Sequence, residues 1–382
     1  MISFELTEEQ IQMQNMARKF AEKEVRPVAV EIDKAPGHPY PQELMNKAAE
    51  IGFIGMYIPE KYGGMGLDWL TMAIVSEELA AGDAGFTVSI LEAIAVVRPL
   101  MDFGTEAQKE KYLTILADRK EAKLGTAAIT EPGHGSDIVT LDTTAVLDGD
   151  SYIINGTKRF ITNAGVAAVC VVFAMTDKSK KSRGQSVFIM PCDTPGLSIG
   201  KVEDKMGQRT ARNAEVILED VRIPKESMIG NEGDGYTIVQ STFDQVRAVY
   251  SGAVAVGIAR AAFEYALKYS KEREQFGKPI FANQAISFRL AEMATSIEAA
   301  RMLVWEACWN LDHGKPGTKL ACMSKYYSAE VAMKVTIDAV QTLGGYGYMK
   351  DYPVEKYMRD AKVCQIMLGT GEIQRMLVSR LI

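Results

Sequence analysis

The chain changes its hydrophobic periodicity twice, and this change is the sequence feature that most limits the folds it can adopt. Up to about residue 120 the pattern predicts helices, because apolar residues such as Met13, Ala17 and Phe20 recur at helical spacing. From about 123 to 232 the chain consists of short β-rich runs separated by glycine, proline, aspartate and asparagine. From about 233 onwards the helical spacing returns. A fold built from repeated β-α-β units would alternate strands and helices instead of separating them into three blocks.

The order predicts an α+β protein with an N-terminal helical domain, a middle antiparallel β domain of sandwich or barrel type, and a C-terminal helical bundle. The predicted domains are residues 1–121, 122–232 and 233–382. The predicted C-terminal helices are long, covering about 237–272, 282–312 and 318–343. Bundles of such helices often pack against a second copy, so we expect an oligomer.

Composition excludes several classes of function. The 382 residues carry 43 lysines and arginines against 49 aspartates and glutamates, a net charge of −6 that argues against a nucleic-acid binder. The five cysteines include no CxxC pair and the three histidines no ligand pair, so we expect no metal centre. The sequence starts without a signal-type segment and has no uninterrupted apolar run of about 20 residues. We therefore expect a cytoplasmic protein that does not insert into membranes.

Six motifs indicate the family, although neither a Rossmann fingerprint nor a P-loop is present. In order along the chain, they are IPEKYGG (58–64), TEPGHGSD (130–137), RFITNAG (159–165), REQFGKPI (273–280), QTLGGYGY (341–348) and VEKYMRDAK (354–362). In this order and spacing they resemble the acyl-CoA dehydrogenase family of flavoproteins, and the resemblance covers essentially the whole chain. The resemblance implies one FAD per subunit of a homotetramer, a CoA-thioester substrate lying against the flavin, and electron-transfer flavoprotein as the redox partner.

The resemblance also assigns positions to the cofactor. Eleven residues and one diglycine pair match family contacts with FAD, namely Ile129, Thr130, Ser136, Phe160, Ile161, Thr162, Arg273, Phe276, Gln341, Thr370, Glu372 and Gly344-Gly345. Among them, Arg273 and Phe276 match residues that reach the FAD of a neighbouring subunit. The chemistry agrees, because an arginine pairs bidentately with pyrophosphate and a diglycine lets backbone N–H groups approach phosphate closely.

A second set of positions matches the substrate side. Ser136, Asp244 and Arg247 correspond to CoA contacts, and Arg247 suits that role because a guanidinium binds phosphate well. Tyr250, one helical turn after Val246, is expected to face the acyl chain. The remaining expected neighbours of the acyl group are Leu91, Arg98, Leu368 and Gly369.

The catalytic base of the family is missing from both of its usual places. In the family a glutamate removes the proton next to the thioester carbonyl while the β-hydride passes to the flavin. That glutamate occupies either the first position of an E-G-T-x-x-I-Q-R pattern or the position before the arginine of F-D-x-x-R. Here the corresponding residues are Leu368 and Val246, neither of which can accept a proton. The ordinary reaction therefore lacks its base.

Four explanations stay open at this stage. Our leading expectation is dehydrogenation of a cyclic or conjugated substrate of the cyclohexenecarboxyl-CoA type. In that branch of the family a base in another loop serves, here Glu92 in the loop 86–100. The alternatives are an enoyl-CoA reductase acting on an aryl acrylyl-CoA, a lyase or desulfinase acting on a β-substituted acyl-CoA with Arg98 holding the anion, and a catalytically silent flavoprotein subunit. Glu92 also has a purely structural interpretation, as the partner of Arg98 in an ion pair.

Overall fold

The N-terminal part of the protein is a layer of helices. The computed structural model describes residues 5–382. The helices are α1 (Glu8–Phe20), α2 (Arg26–Lys34), α3 (Gln42–Ile51), α4 (Trp69–Gly82), α5 (Ala84–Leu91), α6 (Ile94–Phe103) and α7 (Glu106–Leu116). A π-helical turn, Ala21–Val25, joins α1 to α2. Helix α1 begins at a capping box, in which Thr7 and Gln10 each accept a hydrogen bond from the other's backbone N–H. Helices α4 and α5 are buried along almost their whole length and form the centre of this layer.

The middle part is one eight-stranded sheet. Its strands are β1 (Leu124–Ala128), β2 (Thr144–Asp148), β3 (Ser151–Thr162), β4 (Ala167–Met175), β5 (Gln185–Pro191), β6 (Leu197–Val202), β7 (Asn213–Pro224) and β8 (Met228–Ile229). The path is β6-β7-β3-β2-β4-β5-β8, and β1 pairs with β4.

The α+β prediction is confirmed, and the sheet is antiparallel in most of its pairs, but β1 runs parallel to β4. This difference arises because the β2–β3 hairpin separates β1 from β4 along the chain and returns the chain in the same direction. Strand β6 was also not predicted, because its sequence LSIGKV is partly exposed and interrupted by a glycine.

The C-terminal part is again helical. Helices α8 (Gly235–Val246) and α9 (Val254–Glu272) form one continuous rod through a π-helical segment, Arg247–Ala253. A short hairpin, β9 (Glu274–Gln275) and β10 (Lys278–Pro279), leads to α10 (Gln284–Asp312), α11 (Thr318–Leu343), α12 (Val354–Cys364) and α13 (Gly371–Ser379). The proposed domain boundaries fall in the α7–β1 and β8–α8 connections.

Two helical stretches have the length and mean hydropathy of a membrane span, namely Ala84–Phe103 and Gly235–Glu272. In their most apolar windows, 83% and 89% of the residues are buried inside the fold. A core helix of a large globular protein has these properties. Both stretches therefore pack as core helices; the first carries Glu92 and the second carries Tyr250.

A buried polar network connects the three parts of the chain. The Lys356 ammonium on α12 lies 2.6 Å from Asp83 Oδ2, between α4 and α5, and 2.6 Å from Asp360 Oδ2. The other oxygen of Asp360 accepts the Gln208 backbone N–H from the β domain at 2.5 Å. The Thr210 hydroxyl donates to Asp83. Because all five side chains are buried, this network fixes how the two helical layers sit on the sheet.

Candidate active site

The residues expected beside the flavin ring meet at one edge of the sheet. The Arg159 N–H donates to the Thr130 carbonyl at 2.8 Å, which brings the segment after β1 alongside the end of β3. Asn213 at the start of β7 donates from Nδ2 to Phe160 O at 3.0 Å and to Thr162 Oγ1 at 3.1 Å. Thr126 on β1 donates to the Thr162 carbonyl at 2.6 Å. The ring-side segments are thus held in one rigid unit, to which Asn213 and Thr126 contribute without having been predicted.

Phe160 occupies an unusual backbone conformation at this edge. Its φ is +60°, a left-handed value that a bulky residue adopts only when the surroundings impose it. The Phe160 ring is 57% exposed, whereas Ile161 beside it is buried. The irregular register of β3 and β7 between Lys158 and Ile161 produces this outward presentation. A flat ligand lying on this edge would contact the Phe160 ring and the half-buried Ile129 and Thr130.

A separate groove collects the residues expected at the adenosine and pyrophosphate end. Its volume is about 540 Å³, and its lining includes Arg273, Gln341, Gly344, Gly345 and Tyr346. The Arg273 guanidinium lies over the Tyr346 ring at 5.4 Å and has no ion pair within residues 5–382. Gly344 has φ +62°, and a Cβ built on Gly344 or Gly345 would meet no atom within 4 Å. The diglycine backbone therefore faces open space beside an uncompensated cation.

These two regions suit the two ends of FAD. An uncompensated guanidinium beside open glycine backbone suits a pyrophosphate, and the strained aromatic edge with its hydroxyl and amide groups suits an isoalloxazine ring. The groove is lined by residues of α9, α11 and the segments after them, whereas the ring-side edge belongs to the sheet. Phe276, in the β9–β10 turn, has φ +54° and is 97% exposed, so it extends away from its own chain.

The loop between α12 and α13 contains Leu368, one of the two positions where a catalytic glutamate was expected. Leu368 and Gly369 both have left-handed backbones, with φ of +53° and +86°. Gln374 Nε2 donates to their two carbonyl oxygens at 2.9 and 3.1 Å, and Lys325 Nζ on α11 donates to Gly369 O at 2.8 Å. Lys325 and Gln374 are fully buried, and burial lowers the pKa of the Lys325 ammonium to about 8. Neither Lys325 nor Gln374 was predicted from the sequence, although a lysine at a core-facing helical position is a recognisable signal.

The two FAD positions after this loop lie at the start of α13. The Thr370 side chain accepts from Ile373 N at 3.4 Å and caps the helix, and Glu372 in the first turn is exposed. Ser136 is exposed in the turn after β1. These residues are not part of the groove around Arg273.

The residues expected to contact CoA form a partly buried cluster on α8 and the π-helical segment. Arg247 is 2% exposed, and its Nη1 lies 2.6 Å from Asp244 Oδ1. The other Asp244 oxygen accepts the Thr318 hydroxyl at 2.7 Å. Arg247 Nε is buried without a hydrogen-bond partner among the described residues.

Glu92 lies in a buried apolar environment at the junction of α5 and α6. Its Oε2 accepts the Tyr250 hydroxyl at 2.5 Å and its Oε1 accepts the Ala127 N–H at 3.2 Å. Glu92 is 8% exposed, and desolvation raises the pKa of its carboxyl to about 7 even though both hydrogen bonds lower it. Leu91 next to it is fully buried. The expected loop 86–100 is therefore two helices, with Glu92 at their break.

The structural interpretation of Glu92 as the ion-pair partner of Arg98 is wrong. Arg98 Nη2 pairs instead with Asp102 Oδ1 at 2.5 Å, one turn along α6, and its guanidinium lies over the Trp69 ring at 5.6 Å. Because Arg98 and Asp102 share a helix face, the i,i+4 geometry favours this pair. The carboxyl of Glu92 points instead toward Tyr250 on the rod formed by α8 and α9.

The π-helical segment positions Tyr250. The segment Arg247–Ala253 interrupts the α8–α9 rod, and an inserted π-turn shifts the faces of the following residues relative to a regular α-helix. Tyr250 is 4% exposed and Val246 1% exposed. Burial raises the pKa of the Tyr250 hydroxyl, and the negative charge of Glu92 adds to this shift. Tyr250 is therefore the neutral hydroxyl donor to Glu92.

One cluster has the composition of a metal site but is occupied by a lysine. Glu131, His134 and Asp142 bring one ligand atom each within 4.8 Å of one another. The Lys158 ammonium lies 2.8 Å from Glu131 Oε1, and the backbone N–H groups of Asp142 and Thr143 also donate to this carboxylate. This arrangement is a buried ion pair beside the flavin-side strand, because the lysine supplies the positive charge.

The fold and these two regions define a class of protein, one that holds an extended nucleotide cofactor between a β domain and helices beside a buried acid. Three family profiles match the chain: acyl-CoA dehydrogenase, N-terminal domain, over residues 7–120, middle domain over 126–221, and C-terminal domain over 233–382. The chain therefore belongs to the acyl-CoA dehydrogenase family. This membership confirms the expected oxidoreductase class and the FAD cofactor.

Individual relatives match over their whole length. The short-chain specific acyl-CoA dehydrogenase of Megasphaera elsdenii is 44% identical over 380 residues, covering 98% of each chain. The structure of butyryl-CoA dehydrogenase from the same organism superposes with a TM-score of 0.95 at 43% identity, covering 100% of this chain and 99% of that one. A chain from the structure described as "Electron transferring flavoprotein of Acidaminococcus fermentans: Towards a mechanism of flavin-based electron bifurcation" gives 0.96 at 46% identity, with 100% and 99% coverage.

Proposed function

We propose that this protein is a flavin-dependent oxidoreductase of a short or compact acyl-CoA thioester, and that Glu92 replaces the missing carboxylate in proton transfer. The observation that carries the proposal is the state of Glu92. It is a buried carboxyl with a pKa raised by desolvation to about 7, so it can both accept and release a proton near neutral pH. Leu368 and Val246 cannot do so.

The location of Glu92 supports a proton position different from that of the ordinary reaction. Glu92 accepts a hydrogen bond from β1, two residues before the ring-side Ile129, and another from the π-helical segment. The loop at Leu368 is held by α11 and α13 instead. Since different elements hold the two positions, we propose that the proton leaves a carbon other than the one next to the thioester carbonyl. A cyclic or conjugated thioester has such an acidic remote position, and this remains our finer proposal.

The relatives support the size of the acyl group and the redox partner. Relatives described as short-chain and butyryl-CoA dehydrogenases support a small acyl group. The similarity to a chain in a structure described as an electron transferring flavoprotein supports such a flavoprotein as the electron partner. A homotetramer is in keeping with the exposed Phe276 and the groove of Arg273, which lie away from the ring-side edge. A cytoplasmic location is also part of the proposal, in keeping with relatives from Megasphaera elsdenii and Clostridium acetobutylicum.

The residues of the chain divide the work as follows. Bound FAD supplies the two-electron acceptor for a hydride from the substrate. Arg273, Gln341 and Gly344 would hold the pyrophosphate half of FAD, and Phe160 with Thr162 would orient its ring. Arg247, together with its partner Asp244, would lie beside the polar groups of CoA. Glu92 takes the proton in an apolar environment that excludes water, and it returns the proton when the reaction runs in reverse.

An anaerobic titration of the purified holoprotein tests this proposal. The visible flavin band is followed while either butyryl-CoA or cyclohex-1-ene-carboxyl-CoA is added to the parent, to E92Q and to E43Q, a matched control on an exposed face of α3. We expect the cyclic thioester to bleach the parent and E43Q, and E92Q to be reduced at least about 100-fold more slowly, the usual contribution of a general base.

Each other outcome favours a different function. Bleaching of E92Q by butyryl-CoA at the parent rate would show ordinary α,β-dehydrogenation and refute the role of Glu92. Reoxidation of dithionite-reduced flavin by an aryl acrylyl-CoA, without bleaching by saturated thioesters, would favour a reductase. Release of a small anion without lasting bleaching would favour a lyase. CoA binding with none of these signals would favour a silent subunit.

A further inference from the structure

Glu92 has one hydrogen bond that can carry a proton. Its Oε1 accepts from the backbone N–H of Ala127, and an amide of this kind does not release its proton. Its Oε2 accepts from the Tyr250 hydroxyl at 2.5 Å. A hydroxyl both donates and accepts, so it can pass a proton on while receiving another. Since Glu92 is buried, a proton that travels to it through hydrogen bonds passes through Tyr250.

Polar side chains connect Tyr250 to the ring-side edge of the sheet. Asn213 Nδ2 donates to Thr162 Oγ1 at 3.1 Å, and Tyr250 donates to Glu92 Oε2 at 2.5 Å. The Thr162 side chain connects the two, because it is close enough to lower the pKa of the Tyr250 hydroxyl, although burial and Glu92 raise that pKa overall. Thr162 is at the end of β3, at the ring-side edge of the sheet. The series Asn213, Thr162, Tyr250 and Glu92 therefore leads from the flavin-side edge into the core.

We infer that Tyr250 is the catalytic group that exchanges the proton with the substrate, and that Glu92 acts through it as the proton reservoir. This inference rests on the proposed function. It differs from direct abstraction by Glu92, because the atom facing the reacting carbon is then the Tyr250 oxygen. In this arrangement the role of the π-helical segment is to position Tyr250 between Thr162 and Glu92.

The transfer balances without any further reagent. The substrate C–H proton moves to the Tyr250 oxygen while the Tyr250 proton moves to Glu92 Oε2. The electron pair of the broken C–H bond enters the new carbon–carbon double bond. FAD, when bound, would supply the acceptor for the hydride from a second substrate carbon, so the electrons balance. Tyr250 ends neutral, Glu92 ends protonated, and the reverse sequence adds both hydrogens to a double bond.

The surroundings of Glu92 make this carboxyl sensitive to Tyr250. The titratable groups that feel its charge are Tyr57 from the segment after α3, Tyr250 from the π-helical segment, and Cys170 from β4. All three are neutral at physiological pH. The Tyr250 hydrogen bond lowers the pKa of Glu92, so its removal should raise that pKa.

Y250F tests the inference, with Y57F as the matched control. Tyr57 is also a buried tyrosine near Glu92, but its hydroxyl donates to Ile90 O at 2.9 Å and lies outside the series. We expect Y250F to slow flavin reduction by the bleaching thioester at least about 100-fold and to lose the pH dependence of that rate, while Y57F stays within about threefold of the parent. FAD content and thioester affinity should be unchanged in both variants.

A second measurement does not depend on activity. Infrared difference spectra recorded across a pH titration, with E92Q identifying the carboxyl band, give the protonation state of Glu92. We expect the Glu92 titration to move to higher pH in Y250F and to stay in place in Y57F. An unmoved titration in Y250F would overturn the inference.

The two hypotheses fail in different ways. If E92Q is slowed while Y250F keeps the parent rate and pH profile, Glu92 takes the proton directly. Proton exchange through Tyr250 is then wrong, although the proposed function stands. If no thioester reduces or reoxidises the parent flavin, the proposed function is wrong, and the catalytic role of Tyr250 is wrong with it.

Discussion

Replacing Lys356 by methionine should lower the stability of the fold, because this one ammonium forms ion pairs with two buried carboxylates. Lys356 Nζ lies 2.6 Å from both Asp83 and Asp360, and the three side chains are almost completely buried. Removing one partner of a buried ion pair leaves an uncompensated charge and typically costs about 3–5 kcal/mol. The substitution K356M keeps most of the side-chain volume, so the loss is mainly electrostatic.

This cost converts to a measurable shift in melting temperature. For 382 residues, an unfolding entropy of about 2.1 cal/mol/K per residue amounts to about 0.8 kcal/mol/K. A loss of 3–5 kcal/mol then lowers Tm by about 4–6 °C, if the chain unfolds as one unit. Scanning calorimetry of the holoprotein at one fixed scan rate measures the shift.

Two further variants separate the electrostatic cause from a general effect of losing a lysine. K225M removes the exposed pair with Asp150, whose side chains are 54% and 91% accessible, and should change Tm by less than about 1 °C. The double variant K356M/D360N removes one of the two stranded charges and should recover part of the loss. A K356M protein that melts within 1 °C of the parent, or a double variant that melts lower still, would refute the reasoning.

Three other predictions concern the site. In thermal unfolding, E92Q should be more stable than the parent by up to about 3 kcal/mol at pH 8 and equal to it near pH 4. The reason is that the pKa of the Glu92 carboxyl is about 7 in the folded protein and about 4 in the unfolded chain. Ionisation therefore favours the unfolded parent, and the stability of the parent falls as the pH rises from about 4 to 7. A pH-independent difference would contradict this. R273M should weaken FAD binding about 10- to 100-fold in equilibrium dialysis, since it removes the uncompensated cation of the groove. The control R222M, which removes an exposed ion pair with Asp148, should leave FAD binding unchanged. L368E should restore bleaching by butyryl-CoA, because it returns a carboxylate to the loop that Lys325 holds, and an L368Q variant should not.

The sequence alone determined the layer order and much of the chemistry of the cofactor site. Hydrophobic period distinguishes helices from strands because each backbone geometry presents its faces at a fixed spacing, so the α8–α9 rod and helix α11 were predictable. Residue identity determined that positions 246 and 368 cannot accept a proton. These conclusions depend on local spacing or on a single side chain, and neither requires knowledge of what packs against it.

Only the tertiary structure shows that the carboxyl of Glu92 is buried and which groups it contacts. Its partner Tyr250 is 158 positions further along the chain, and the carboxyl becomes a proton carrier because helices from both ends of the chain bury it against β1. From the sequence, Arg98 was the nearer candidate, yet α6 directs its guanidinium to Asp102. The parallel pairing of β1 with β4 likewise followed from chain direction rather than from composition. Periodicity tells which face of an element is buried, but the packing of distant elements decides which group that face meets, and desolvation by that packing sets the pKa.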